Sequence, residues 1–338
     1  MKTKTIERAL TVKFEDFLKS IKDDDLRVAL KNGCIITGGA ITSLLLNEEV
    51  KDYDLYFTNK DLVKRVAEYY VEEFKKLYGG KGKIFNVASG SNVSISVKET
   101  DDRIQIYIGS AGVVGATTEE NTEDNTEDNM EDENEGIAIP EIPPQERNAA
   151  EYQYFEQLPA GSPEQENFID NTLTYIKGTK KVKNKKYVPL LLTSNAITLS
   201  DDIQLVIRFY GDAEEIHNNY DFVHCTNYWK SKNNKLYLNQ PALESILTKN
   251  LVYQGSLYPL CSLFRIRKFI QRGWTINAGQ ILKIALNLQQ FDLNNVNVLR
   301  EQLIGVDIAY FYELISKLTS GEEDIDYIYI CRLIDEVF

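Results

Sequence analysis

The residues of this chain best suited to chemistry lie in one stretch, GGAITSLLLNEEVKDYDLYF, running from Gly38 to Phe57. Asp52 and Asp54 stand two apart at the head of an apolar run, Leu55-Tyr56-Phe57. On a strand, residues i and i+2 share a face, so the two carboxylates converge. Converging carboxylates repel unless a hard cation lies between them, and Mg²⁺ (or Mn²⁺) with oxygen ligands suits such a pair. Two such ions can activate an attacking hydroxyl and stabilise a leaving pyrophosphate. Just upstream, Gly38-Gly39 separates the apolar run Cys34-Ile35-Ile36-Thr37 from a short helical stretch, residues 40–46. A strand that ends in two glycines and opens a helix presents N–H groups that a triphosphate can approach closely, and the helix dipole favours its charge.

These residues need a frame. Phe14, Phe17, Leu18 and Ile21 fall at helical spacing, predicting an amphipathic helix over residues 13–31 that Asn32-Gly33 ends. Residues 34–37 read as a buried strand, 54–57 as a second, and 60–78 as a long helix. Further strands are expected at 84–88, 93–98, 103–108, 188–192 and 203–209, and a short helix at 213–219 leads into a strand at 221–226. Beyond Pro241, Leu and Ile recur at spacings of three and four, which predicts helices to the end.

The net charge of −13 is unevenly spread. Residues 115–150 hold twelve acidic side chains against Arg147 alone, which leaves −2 on the remainder. Within them NTED-NTED-NMED is a low-complexity repeat that cannot bury enough apolar surface to offset the entropy of ordering, and a disordered loop is expected. It either solvates the chain or acts as an electrostatic decoy for nucleic acid. The lysine-rich stretch 177–187 is either a solvated linker or, with Tyr175 and Tyr187, a contact for single-stranded nucleic acid. No run of ~18 apolar residues suggests a membrane span, and no apolar N-terminal segment suggests a signal peptide, so a cytoplasmic location is expected. Four scattered cysteines and two histidines, His217 and His224, lack the spacing of a zinc site.

The Gly38–Phe57 stretch resembles the signature of the DNA polymerase beta-like nucleotidyltransferase superfamily. Within it, the stretch is most similar to the head of class II CCA-adding enzymes and bacterial poly(A) polymerases: two glycines, paired leucines, then Asp-x-Asp. Thr42 and Ser43 stand where that head carries Arg-Asp, and so take the nucleotide-facing positions beside Gly38 and Gly39. Residues 214–225 resemble the family's Arg-Arg-Asp-Phe strand, with Asn219 and Tyr220 in place of the arginines. By that register Asp221 is similar to the Asp near the nucleotide's ribose; alternatively it is a third acid near the metals. Gln204 stands where the head's third core strand often has a carboxylate, with Asp202 on the same face to compensate. Residues 242–247 and 258–269 resemble the family's neck. There Arg265, Lys268 and Arg272 share a helix face and look like a wall for nucleotide or RNA phosphates. The base-selecting Glu-Asp-x-x-Arg motif is absent, so no base preference carries over. The acidic loop and short body also resemble divergent nucleotidyltransferase-like proteins of tailed bacteriophages.

The fold expected is therefore α+β: a nucleotidyltransferase head with a mixed sheet flanked by helices, interrupted by an acidic insertion, and a helical neck and body. Its boundaries are 1–114 for the first part of the head, 115–186 for the insertion, 187–240 for the rest of the head and 241–338 for the helices. The activity implied by the resemblance is transfer of a nucleoside monophosphate from an NTP to an acceptor hydroxyl, with an RNA 3′ end as the acceptor. Asp52, Asp54 and Asp221 would be catalytic, with Mg²⁺ or Mn²⁺ on Asp52 and Asp54. Arg265 and Lys268 would join Gly38, Gly39, Thr42 and Ser43 in binding the nucleotide. A catalytically inactive binding module and an enzyme that nucleotidylates protein are the alternatives.

Overall fold

The computed structural model describes residues 2–78, 84–85, 95–100, 103–108, 113–115, 186–192, 195–295, 298–299 and 302. The acidic repeat, all but the end of the lysine-rich stretch and the last expected helices lie outside them.

Two helices, α1 (Thr3–Ser20) and α2 (Asp24–Gly33), replace the single one expected over 13–31. Ile6, Leu10, Phe14, Phe17 and Leu18 put one apolar stripe of α1 into the core. The break comes where Ile21 turns extended and Asp23 caps the second helix, its carboxylate accepting from the Leu26 N–H at 2.8 Å. Strand β1 (Cys34–Thr37) is buried throughout, and α3 (Gly39–Leu46) follows it, closed by Asn47 in the left-handed region. Strand β2 (Tyr53–Phe57) and the long α4 (Lys60–Tyr78) come next.

The remaining strands are β3 (Ile84–Phe85), β4 (Ile95–Glu99), β5 (Ile104–Ile108), β6 (Val113–Gly115), β7 (Pro189–Leu192), β8 (Ala196–Leu199), β9 (Ile203–Tyr210), β10 (Tyr228–Lys230) and β11 (Lys235–Tyr237). Among the described residues nine of the strands form one sheet in the order β11-β10-β1-β2-β9-β8-β7-β6-β3, while β4 and β5 pair separately. The sheet is mixed: β2 runs parallel to β9 and antiparallel to β1. Residues 201 and 202, both at positive φ, turn β8 tightly into β9. This is the mixed α/β head, flanked by helices, that the sequence leads one to expect.

Alternation divides the central sheet into two faces. Ile36, Leu55, Leu205, Ile197 and Trp229 point towards α1, α2 and α4 and make the main core. The opposite face presents Ile35, Thr37, Asp54, Tyr56, Gln204 and Tyr228, partly covered by the short helix Ala213–His217. Two expectations fail here. The strand expected over 221–226 is a single bridge, Phe222 to Tyr253, followed by a 3-10 turn, Val223–Cys225, that the Thr226 N–H and hydroxyl close onto the Val223 carbonyl. The segment beyond Pro241 contains the helices Gln240–Thr248, Pro259–Gln271 and Ala278–Leu288, but also two short parallel strands, β12 (Asn250–Leu251) and β13 (Thr275–Ile276). Phe222, Ile246, Tyr253, Ile266 and Trp274 form a second core that joins this neck to the head. No described helix is long and apolar enough to cross a membrane.

Candidate nucleotide and metal site

The site is built where β1 ends and β2 begins. Gly38 has φ +88°, a conformation glycine adopts without penalty, and so turns the chain from β1 into α3. Its N–H is already used, donating to the Cys225 carbonyl at 3.1 Å, so it does not point outward as the sequence suggested. The open position is Gly39, the exposed first residue of α3, above which a Cβ would meet nothing within 4 Å. No side chain caps that helix start.

Asp54 pairs across the strands with Thr37 on one side and Gln204 on the other. Its Oδ2 lies 3.3 Å from where a Cβ on Gly38 would be, so the carboxylate rests against the glycine turn. Asp52 precedes the strand and is exposed. Asp202 does not compensate for Gln204. Its left-handed turn position places its charge near Lys13 and Tyr53, on the α1 side of the sheet. A cavity of about 610 Å³ opens there too, lined by Lys13, Tyr53, Lys186, Tyr187 and Asp201 and by neither Asp52 nor Asp54.

Asp221 is buried and ion-paired with Arg265. Arg272 pairs with Glu48 at 2.5 Å and lies 3.5 Å from the Ser43 hydroxyl, and Lys249 adds a second ion pair to Glu48 at 3.4 Å. The single basic wall expected from Arg265, Lys268 and Arg272 is thus divided: both arginines are drawn into the head–neck junction, and Lys268 is exposed. Thr42 is also turned inward, its buried hydroxyl donating to the His224 carbonyl at 2.9 Å. Cys225 lies among these groups. Burial first, then Asp221 and Asp54, push its thiol pKa up, while Arg265 and Arg272 act in the opposite sense.

Sequence reasoning passed over three side chains here. The Thr37 hydroxyl donates to the Asn227 carbonyl at 2.9 Å, has the Cys225 carbonyl at 3.2 Å, and faces His217 Nε2 at 2.8 Å. A hydroxyl has one proton; with it on a carbonyl, we assign the Nε2–H tautomer to His217, which then donates to Thr37. Burial lowers the His217 pKa to about 4, against a smaller opposing pull from Asp212. Tyr220 packs its ring against Tyr56 and His217, and burial raises its pKa well above the ordinary tyrosine value. The signal for Thr37 was its place next to Gly38, and for Tyr220 its place beside Asp221; His217 had none.

Among the described residues no group of three or more His, Cys, Asp or Glu side chains is arranged to hold a metal. Asp221 is bound to its arginine and Asp202 faces the other way, which leaves Asp52 and Asp54. That donor set fits Mg²⁺, which is commonly held by one or two carboxylates together with substrate phosphates and water.

The mixed sheet thus brings together at its end a glycine turn into a helix, and Asp54 on the neighbouring strand with Asp52 just before it. The chain belongs to the Gabija anti-defense 2 family, whose profile matches residues 8–116 and 153–249 and passes over the acidic repeat. A curated relative, Gabija anti-defense 2 of Bacillus phage SPbetaL7, is 27% identical over 122 residues. That match covers 36% of this chain and 29% of the phage protein, less than a third of the relative's length. Among solved structures, the Thermotoga maritima CCA-adding enzyme complexed with tRNA aligns with a TM-score of 0.35 at 10% identity, over 96% of this chain and 53% of that one.

Proposed function

We propose that this chain is a metal-dependent nucleotidyltransferase of phage origin that acts in the host cytoplasm to counter a bacterial defence. The observation that carries the catalytic part is the contact of the Asp54 carboxylate with the Gly38 turn, beside the open start of α3 at Gly39. The N–H groups at the start of α3 would bind the triphosphate, with the helix dipole favouring its charge. Asp52 and Asp54 would hold Mg²⁺ or Mn²⁺, which when bound supplies charge neutralisation and acidifies the attacking hydroxyl. Thr37 and His217 hold the end of β1 under the site and keep a neutral, hydrogen-bonded floor beneath Asp54. Asp221, tied to Arg265, would orient the Tyr220 segment rather than bind metal. The anti-defence role is supported by family membership.

An RNA 3′ end is the acceptor implied by the resemblance. A specific observation favours a second reading, a hydroxyl on a protein: Arg265 and Arg272, expected to face RNA phosphates, form ion pairs with Asp221 and Glu48. The test is label transfer from each of the four α-³²P NTPs, with Mg²⁺ or Mn²⁺, to host RNA and host protein. Wild type is compared with Asp52→Asn/Asp54→Asn. Label that vanishes in the variant supports the enzyme, and its position on the gel names the acceptor class. Absence of transfer together with absence of metal-dependent NTP binding would leave a non-catalytic module.

A further inference from the structure

The hairpin of β10 and β11, at one edge of the main sheet, is basic and aromatic in a chain whose net charge is −13. Residues 222–243 hold Lys230, Lys232 and Lys235 and no Asp or Glu. Lys232 and Lys235 are exposed, and among the described residues none of the three lysines forms an ion pair. The rings of Tyr228 and Tyr237 stack at 4.8 Å with 7° between their planes. Lys230 Nζ lies 5.4 and 5.6 Å from the two ring centres. The acids nearest the hairpin are engaged elsewhere. Glu7 accepts from the Leu236 N–H at 3.1 Å, and Asp212 caps the short helix 213–217 by accepting from two of its N–H groups.

Strand parity sets this stack on the face that carries Asp54. Trp229 and Leu236 pair with each other and enter the main core, so Tyr228, Lys230, Lys235 and Tyr237 project the other way. In register, Thr37 pairs with Asp54 on one side and with Tyr228 on the other, and Tyr228 pairs with Tyr237. At one strand spacing per step, Tyr228 stands about 10 Å and Tyr237 about 14 Å from Asp54. His217 closes the inner side of the stack, edge-on to Tyr228 at 5.6 Å. The outer side is different: β11 ends the sheet among the described residues, so the ring face of Tyr237 turned away from Tyr228 points off its edge. That ring is held in place. Asn233 donates through Nδ2 to the Tyr237 hydroxyl at 2.7 Å and accepts from the Lys235 N–H at 3.2 Å, and buried Trp229 anchors the hairpin against Phe14 at 5.3 Å.

An aromatic face takes any unstacked base, while lysines beside it hold the phosphates. We propose that the β10–β11 edge binds single-stranded nucleic acid, with a base on Tyr237 and phosphates on Lys230, Lys232 and Lys235, and that this strand is the acceptor brought to Asp54. The acceptor role rests on the nucleotidyltransferase reading. The edge supplies the positive charge that Arg265 and Arg272, paired within the junction, do not offer. A duplex, whose bases are already stacked, finds only the lysines there.

The test is fluorescence anisotropy of the full chain with a labelled single-stranded RNA of about 12 nucleotides, beside its duplex, at several salt concentrations. Three variants are compared with wild type: Tyr237→Leu, Tyr237→Trp and Lys232→Gln/Lys235→Gln. Wild type should prefer the single strand. Tyr237→Leu, which keeps an apolar strand residue and loses the ring, should weaken binding roughly tenfold, and Tyr237→Trp should restore it. The lysine variant should lower the slope of log affinity against log salt by about 1.4. Affinity within twofold of wild type in both Tyr237→Leu and the lysine variant overturns the proposal, since the RNA then binds elsewhere. Equal loss in Tyr237→Leu and Tyr237→Trp also overturns it, because binding then needs the hydroxyl bonded to Asn233 and not the ring face. A wild type that binds no single strand overturns it and leaves a protein acceptor. Calorimetry with each NTP and Mg²⁺ separates the two readings. NTP binding without RNA binding sinks the edge and leaves the enzyme, whereas RNA binding through Tyr237 without NTP binding sinks the enzyme and the acceptor role with it.

Discussion

Asp54 and Asp221 carry the same side chain and both act on the thiol of Cys225, yet the fold treats them differently. Asp221 lies in the head–neck junction, 8% exposed, with the Arg265 guanidinium on its carboxylate and Phe222 packed into the second core beside it. Asp54 lies half-buried on β2, against a glycine, between Thr37 and Gln204 on the flanking strands. One charge is compensated by a residue of the neck. The other lies half-buried at the end of the sheet, against the turn at Gly38. A carboxylate's place in a motif therefore does not by itself settle its role; the elements packed around it differ, neck and arginine for Asp221, glycine turn for Asp54.

The comparison is broken most directly at Asp54. Asp54→Asn keeps shape and removes charge, and it should lower nucleotidyl transfer by ~10³-fold while leaving the melting temperature close to wild type. Parallel transfer assays and thermal melts check this. A variant that transfers label normally would move Asp54 into the same structural class as Asp221.

Arg265 offers the converse. Its removal strands a buried carboxylate, a change that costs about 3–5 kcal/mol when the partner stays behind. Arg265→Met should accordingly destabilise the chain strongly in urea, and Asp221→Asn in the same chain should restore most of the loss. A double variant no more stable than the single one would show that packing, not charge, holds this junction.

The two histidines sharpen the comparison through pH. His224 is sealed among Phe222, Phe269 and Trp274 in the junction, and His217 lies beneath the site; burial lowers both pKa values to about 4. A base whose folded pKa falls below its unfolded value of about 6.5 binds more protons when unfolded between those limits. Stability is then fully present above pH 6.5 and declines as pH falls towards 4. The loss should reach about 3 kcal/mol for His224 and less for the partly open His217. Urea titrations at pH 7 and pH 4.5 measure it, and His224→Phe should flatten most of the slope.

Much of this frame was legible from sequence because it rests on local rules. Apolar spacing placed α4 and strands such as β1, β2, β7 and β9, though not the short β6, β8, β10 and β11, and Gly38-Gly39 marked the turn from β1 into α3. The failures came where a distant partner decides the matter. Residues 221–226 alternate like a strand, but the Gly38 N–H takes the Cys225 carbonyl and the neck takes Phe222. Three basic residues on one helix face resemble a phosphate wall until Asp221 and Glu48, 44 and 224 residues from their arginines, draw two of them inward. Asp202 shares strand parity with Gln204, but a left-handed turn redirects it towards Lys13. Helical and strand periods say which face a residue occupies, not which charge lies across from it.

The smallest expected effect is at Glu48 and Arg272, where the junction reaches solvent. Both side chains are about one-third exposed, at 32% and 34%, so water and salt screen the pair. Arg272 first, then Lys249, holds the Glu48 pKa below the ordinary carboxylate value. Its contribution is thus present above the unfolded carboxylate pKa and fades as pH falls through the lowered one. Arg272→Ala should cost no more than about 1 kcal/mol at neutral pH. That difference should shrink in 1 M salt, where the screening length falls to about 3 Å. Urea midpoints at low and high salt measure it. A cost matching that at Arg265 would mean the ion pairs of the neck act as one buried network, and that the contrast with Asp54 extends to the rim of the site.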